Sequence, residues 1–172
     1  MLANKKREVR ESMFREMKRR KQLLSREDTS AVMDRCTNGV LACQGDEGYP
    51  YAVPLSYVYL NEKIYFHSAK TGYKMDAIAQ NSKVSFSVID KDTIISKEYT
   101  SYFRSVIAFG KARIVEGDER QDAFMAMVKK YSGDQPEEDQ HKEVEGCGRA
   151  CIVAIDVEHI TGKQAIELCK DS

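Results

Sequence analysis

The pattern of apolar and polar positions changes character at Asn38-Gly39. Ahead of it, Lys5 to Lys21 contains neither Gly nor Pro and places Val9, Met13 and Met17 four residues apart among Lys, Arg and Glu, a sparse stripe that predicts an exposed helical arm. Ser25 with Asp28 three residues later has the form of a helix start, in which hydroxyl and carboxylate answer orphan amides. Ala31, Val32 and Arg35 continue at helical spacing, so a short helix through Cys36 is expected. Beyond Asn38-Gly39, β-branched and aromatic runs between turn residues predict strands at Val40–Cys43, Tyr51–Leu60, Lys63–Ser68 and Lys83–Ile89. Gly45-Asp46-Glu47-Gly48 and Asn61-Glu62 are short enough to close antiparallel hairpins.

A helix is expected over Tyr73–Gln80, after the break at Gly72, with Met75, Ile78 and Ala79 as its apolar face. In Tyr99–Glu116, Val106, Ala108, Gly110 and Ala112 alternate with Ile107, Phe109 and Lys111, a long strand in which Gly110 marks a bend or bulge. Glu119–Tyr131 reads as a helix, Ser132–Gly146 as a polar, acidic loop and Ala150–Val157 as a final strand. Strands that arrive in hairpins rather than βαβ units predict a mainly β domain. The expectation is a small barrel of at least six strands, mostly antiparallel, with helical covers over residues 25–172, behind a basic helical arm of residues 1–24.

Composition narrows the classes. The length of 172 residues suits one domain, and 27 Lys plus Arg cancel 27 Asp plus Glu, so the molecule has no bulk attraction to nucleic acid or to an anionic membrane and neither is expected as a partner. The charges are segregated, however: Met1–Asp28 carries net +5 and the remainder net −5. The arm is read as a solvated extension packing on a neighbouring surface, with a contact to nucleic acid or to an acidic partner as the other reading. Without a run of about eighteen apolar residues, or an apolar signal core after Met1, the expectation is a soluble, cytoplasmic protein. Five cysteines, an odd number without a short-spaced framework, predict free thiols in a reducing compartment.

The most suggestive chemistry is Phe66-His67-Ser68-Ala69-Lys70-Thr71-Gly72-Tyr73-Lys74, where a strand gives way to a helix. Free amides and the positive end of the helix attract an anion there, and Ser68, Lys70, Thr71 and Lys74 add hydroxyls and charge, although no Walker or dinucleotide glycine pattern is present. His67 and Ser68 would point to opposite sides of a strand unless it ends between them, and His67 reads equally as a surface residue or as a catalytic one. Pro54 lacks an amide donor and belongs at a bulge or an edge, where Leu55 and Ser56 either present backbone to a ligand or simply form a barrel corner. Tyr102 and Arg104 suit a phosphate or flat ring, or an interface pair. Cys147 and Cys151, with His141 upstream, lack a second metal-binding pair, and no metal site is expected. No Gly-x-Ser-x-Gly elbow appears.

The succession Gly39-Val40-Leu41-Ala42, Gly48-Tyr49-Pro50-Tyr51-Ala52-Val53-Pro54-Leu55-Ser56-Tyr57-Val58-Tyr59 and Ile64-Tyr65-Phe66-His67-Ser68-Ala69 resembles the pyridoxamine 5′-phosphate oxidase-like family of flavin-binding split barrels, in its NimA-like, 5-nitroimidazole resistance branch. Gly72-Tyr73-Lys74-Met75-Asp76, Asn81-Ser82-Lys83-Val84-Ser85-Phe86, Tyr102-Phe103-Arg104-Ser105-Val106, Phe109-Gly110-Lys111-Ala112 and His159-Ile160-Thr161-Gly162-Lys163 extend it from about Met17 to Ala165.

This resemblance implies a six-stranded split barrel forming a homodimer, with FMN at the subunit interface. It places Pro54, Leu55 and Ser56 along the isoalloxazine ring and His67, Ser68 and Lys74 around the ribityl phosphate, with Phe66 among the cofactor contacts. Tyr102 and Arg104 would approach from the partner or the neighbouring strand. The substrate-binding carboxy-terminal segment of true pyridoxamine phosphate oxidases, rich in Arg with a Trp, has no counterpart, and the chain has no Trp. The implied function is therefore an FMN-dependent reductase or oxidase of small molecules, with a nitroaromatic acceptor and a reduced nicotinamide donor. His67 would contact phosphate or donate a proton to a reduced product. The alternatives are a non-catalytic flavin-binding module and a haem-binding or haem-degrading barrel, with His67 or His159 as axial ligand.

Overall fold

A computed structural model of the chain describes residues 14–148 and 150–169. Helix α1 (Arg26–Arg35) begins where expected: Ser25 Oγ accepts the Asp28 amide at 3.0 Å and donates to the Asp28 carboxylate at 2.9 Å, while Glu27 and Asp28 lie against the positive end of the helix. Then follow β1 (Asn38–Gln44), β2 (Pro50–Ser56), β3 (Val58–Leu60), β4 (Lys63–Ala69), α2 (Tyr73–Gln80), β5 (Lys83–Ile95), β6 (Thr100–Val115), α3 (Gly117–Ser132), α4 (Glu137–Gly146) and β7 (Ala150–Gln164). Every pairing is antiparallel, in the order β2-β1-β5-β6-β7-β4-β3.

The end strands β2 and β3 are consecutive in sequence and separated only by Tyr57. The sheet therefore curls until its two ends are joined through one residue, yet no ladder pairs β2 with β3 or β4. The result is a barrel split along the seam between β2 and β4. Its interior is filled by Leu41, Ile64, Phe66, Phe86, Val106 and Ile155, each no more than 1% exposed. Tyr57 is itself fully buried at the joint: its hydroxyl donates to the Met33 carbonyl at 2.8 Å, and its ring meets Phe86 edge-on with centroids 5.0 Å apart.

Seven strands replace the expected six because the run Tyr51–Leu60 breaks at Tyr57. Pro54 does lie on an edge strand, and a register shift between Phe109 and Gly110 marks the expected bulge; a Cβ at Gly110 would collide with the Asp156 carbonyl. Strand β7 continues past Val157 to Gln164, where it pairs with the first half of β6. Two expectations are corrected outright. Residues 137–146, expected as loop, form helix α4, which buries Gln140 and packs Val144 against the core. Of the expected helical arm, residues 1–13 lie outside the described residues, and residues 14–24 form only a single 3-10 turn at Arg20–Gln22. There the Leu24 amide donates to the Gly162 carbonyl at 3.0 Å and Leu23 bridges to Lys163, so β7 supplies partners that an isolated, weakly amphipathic helix would lack. Among the described residues no helix is long and apolar enough to cross a membrane.

Candidate functional site

At the junction of β4 and α2 the residues singled out in the sequence are sorted onto two faces. Strand β4 runs through Ala69, so His67 is exposed while Phe66 and Ser68 are buried. Phe66, fully inside the barrel, supports Lys74 from beneath: the Lys74 ammonium lies 5.5 Å from its ring centroid. Lys74 is half-buried and enters no ion pair among the described residues. It also stands close enough to Cys43 to oppose the rise that burial imposes on that thiol's pKa.

Helix α2 starts at Gly72, whose φ of 123° is open to glycine and which offers no side-chain cap. The Met75 and Asp76 amides return to the Gly72 carbonyl at 2.8 and 3.0 Å, leaving the Tyr73 and Lys74 amides without helical acceptors. Two contacts fix this end against β2 and the turn that precedes it. The Asp46 amide donates to the Tyr73 hydroxyl at 2.7 Å, and the Tyr51 and Tyr73 rings meet edge-on at 4.4 Å.

From Tyr51, β2 runs along the seam to Ser56, five residue steps or about 17 Å at strand geometry. Ala52, Pro54 and Ser56 face outward and exposed, and Tyr51, Val53 and Leu55 are only half-buried. Ser56 and His67, singled out from separate motifs, meet in the wall of one cavity of about 440 Å³ whose other side is the α3–α4 pair. Phe124 and Met127 supply its apolar floor, and Asp139 and Glu143 of α4 its acidic side. Tyr131 of α3 fastens that wall: its hydroxyl accepts the Tyr57 amide at 3.0 Å and donates towards the carbonyls of Tyr57, at 2.8 Å, and Thr37. Burial pushes the Tyr131 phenol pKa up. Beside it, Lys130 donates to the Cys36 carbonyl at 2.6 Å with its ammonium 4.5 Å above the Tyr57 ring, and burial pulls its pKa down.

Tyr102 and Arg104 stand elsewhere in the chain. Arg104 pairs with Gln164 at the far end of β7, twelve residues from Ile152, the partner of His67. Its guanidinium donates to Gln164 at 3.1 Å and to Asp90 at 3.3 Å, while the Tyr102 hydroxyl donates to Glu98 at 2.8 Å. Asp90 is the residue skipped where the β5–β6 register shifts between Ile89 and Lys91, so its carboxylate is free to take Arg35 in a two-point contact, both at 2.6 Å, as well as Arg104. The two cations hold the Asp90 pKa below the ordinary carboxylate range. Within one subunit, therefore, Ser56 and His67 share one cavity, Pro54 and Leu55 precede Ser56 on β2, Lys74 stands at the start of α2 near the other end of that strand, and Tyr102 and Arg104 lie apart from all of them.

A separate charge cluster braces β4, β6 and β7 against the start of α3. Arg113 grips Glu119 at 2.8 Å through two nitrogens and Asp156 at 2.7 and 3.1 Å, while Lys63 and the Tyr65 hydroxyl each donate to Glu119 at 3.0 Å. These donors hold the Glu119 pKa down to about 2. All its charges are matched internally, which reads as a structural brace. Among the described residues no group of three His, Cys, Asp or Glu is arranged to hold a metal ion.

A family model described as pyridoxamine 5′-phosphate oxidase matches residues 25–164. No curated protein matches the chain by sequence. Solved structures share its fold. A conserved hypothetical protein from Mycobacterium tuberculosis superposes with a TM-score of 0.75 at 19% identity, over 91% of this chain and 96% of that one. A candidate 5-nitroimidazole antibiotic resistance protein from Bacteroides thetaiotaomicron gives 0.68 at 20% identity, over 83% and 86%. An FAD and haem binding protein from Mycobacterium smegmatis gives 0.67 at 17% identity, over 88% and 77%. With the family match spanning most of the chain and a barrel split along β2 and β4, the protein belongs to the pyridoxamine 5′-phosphate oxidase family of flavin-binding split barrels.

Proposed function

We propose that the protein is an FMN-dependent oxidoreductase acting on a small molecule, with the flavin laid along the seam. The observation that carries this reading is the arrangement of β2: one end abuts the uncapped start of α2 with an ammonium that enters no ion pair among the described residues, and the other end opens into an apolar-floored cavity. The donor set fits the cofactor. The Tyr73 and Lys74 amides, the Lys74 ammonium and the exposed Lys70 and Thr71 suit a phosphate, and an exposed edge strand around Pro54 suits a flat ring with polar edges.

Bound flavin would supply the hydride and electron chemistry. The chain's own part is binding and orientation. Lys74 and the α2 amides anchor the phosphate, the outward groups of Pro54 and Ser56 with the backbone of Leu55 between them set the plane of the ring, and His67 offers an imidazole on the cavity side, able to give a proton to a reduced product. Because Tyr102 and Arg104 lie at the start of β6, where Arg104 pairs with the end of β7 far from the partner of His67, any contact they make with this flavin comes from a second copy, which accords with a homodimer carrying the cofactor between subunits.

The test is turnover by flavin-loaded protein with NADH or NADPH as donor and a panel of nitroaromatic acceptors. Donor oxidation that depends on the acceptor supports the reading; stoichiometric flavin without turnover on any pair would make the protein a flavin carrier. Haem is the second reading, since two structures sharing the fold are named as haem binders. Geometry separates its two candidate ligands: the His159 ring is stacked 4.8 Å from that of Phe14, whereas His67 is exposed in the cavity wall. A Soret band lost in His67→Ala would favour haem.

A further inference from the structure

The cavity beside His67 has a polar lining biased to one sign. Asp139 and Glu143 stand one turn apart on the same face of α4, an arrangement of like charges that costs an isolated helix stability. Glu143 enters no ion pair among the described residues, and Asp139 has only a 3.8 Å approach from Lys142, with both side chains more than 60% exposed. Among the described residues no Lys or Arg lines the cavity.

The neutral polar groups carry no charge to offset this bias: the Ser56 and Ser132 hydroxyls and the Gln135 amide both donate and accept. Gln140 is buried, with one amide hydrogen committed to the Gln135 carbonyl at 2.7 Å. The Tyr131 hydroxyl is spent on the backbone of Tyr57 and Thr37. Beneath these groups lie Phe124 and Met127, a surface suited to a flat apolar body.

We infer that this cavity selects a cationic aromatic ligand, such as an amidinium or a protonated aza-aromatic ring, and rejects an anionic one. Its carboxylates face the positive head, Phe124 and Met127 hold the ring, and His67 borders the reacting side. A phosphorylated substrate would bring its dianion against two carboxylates with no basic side chain to receive it. The same bias keeps the flavin phosphate away from this end of the seam and at Lys74. As a statement about substrates the inference rests on the proposed function; as a statement about binding it stands on the cavity alone.

The test compares benzamidine with benzoate, nearly equal in shape and opposite in charge, titrated into the full chain while two-dimensional NMR follows the protein, with FMN content measured on the same sample. Benzamidine is expected to bind with at least about tenfold preference over benzoate, the scale of one charge-assisted contact, and added salt should narrow the gap. The double variant D139N/E143Q should lose that preference while keeping its thermal midpoint and FMN content. Equal binding of the two probes, binding of neither, or an unchanged preference in the double variant overturns the inference. Selectivity without flavin would sink the proposed function and leave the cavity assignment standing; flavin without selectivity would do the reverse.

Discussion

The Tyr131 hydroxyl lies 3.0 Å from the amide nitrogen and 2.8 Å from the carbonyl oxygen of Tyr57, the residue through which the sheet passes from its first edge to its last. A side chain from α3 thus does for Tyr57 what a neighbouring strand would do in a closed barrel. The seam remains open on either side of this point while its backbone groups stay satisfied.

Removing that one oxygen tests the joint. Tyr131→Phe leaves the Tyr57 amide without its partner and should destabilise the fold by about 1–3 kcal/mol, read as a lower urea midpoint with an unchanged slope. An unshifted midpoint would show that the joint is held by packing alone.

Asp90 is a second test, because its side chain is only 8% exposed and faces two guanidinium groups. Asp90→Asn leaves Arg35 and Arg104 close together without a counter-charge. Between the small worth of surface pairs and the larger cost of breaking buried ones, the expected loss is about 2–3 kcal/mol. Arg35→Met should cost less, since Asp90 keeps Arg104; the reverse order in chemical denaturation would count against the arrangement.

The brace at Glu119 predicts acid behaviour. Its folded-state pKa of about 2 lies below the ordinary glutamate value of 4.5, so its stabilising contribution is complete above about 4.5 and disappears as the pH falls from there towards 2. Urea unfolding between pH 6 and 3 should show stability falling over that window, with a shallower fall in Glu119→Gln. Parallel curves for the two proteins would exclude Glu119 as a contributor.

Lys74 carries the prediction for the cofactor. Lys74→Ala should weaken FMN binding by one charged contact, about 1.5–3 kcal/mol, seen as faster loss of flavin on dilution or dialysis. Lys70→Ala, on the exposed turn, should have a smaller effect. Equal retention by Lys74→Ala and the unaltered protein would remove Lys74 from the site.

What the sequence made legible follows its local chemistry. Ser25 and Asp28 announce a cap, Pro54 an edge and Gly110 a bulge, because each depends on a backbone requirement only a few residue types meet. Helix α4 was not legible: its buried contributions come from a glutamine and Val144, and its remaining residues are mostly charged, so no apolar stripe marks it. The acidic wall of the cavity was hidden with it. Residues 158–164 of β7 escaped because most are half-buried on both faces and show no clean alternation. Nor could spacing reveal that Arg104 faces Asp90, since that contact needs the register shift that frees Asp90 from the ladder. His67 and Ser56, by contrast, were both found from their motifs, and only the curl of the sheet brings them to one cavity.

The most direct measurement is the absorption spectrum of the purified protein after saturation with FMN and removal of excess, with mass spectrometry of what denaturation releases. The account predicts a flavin spectrum and about one FMN per subunit, in keeping with one seam per chain. A colourless protein that retains no added FMN, or one that releases haem in its place, would contradict it.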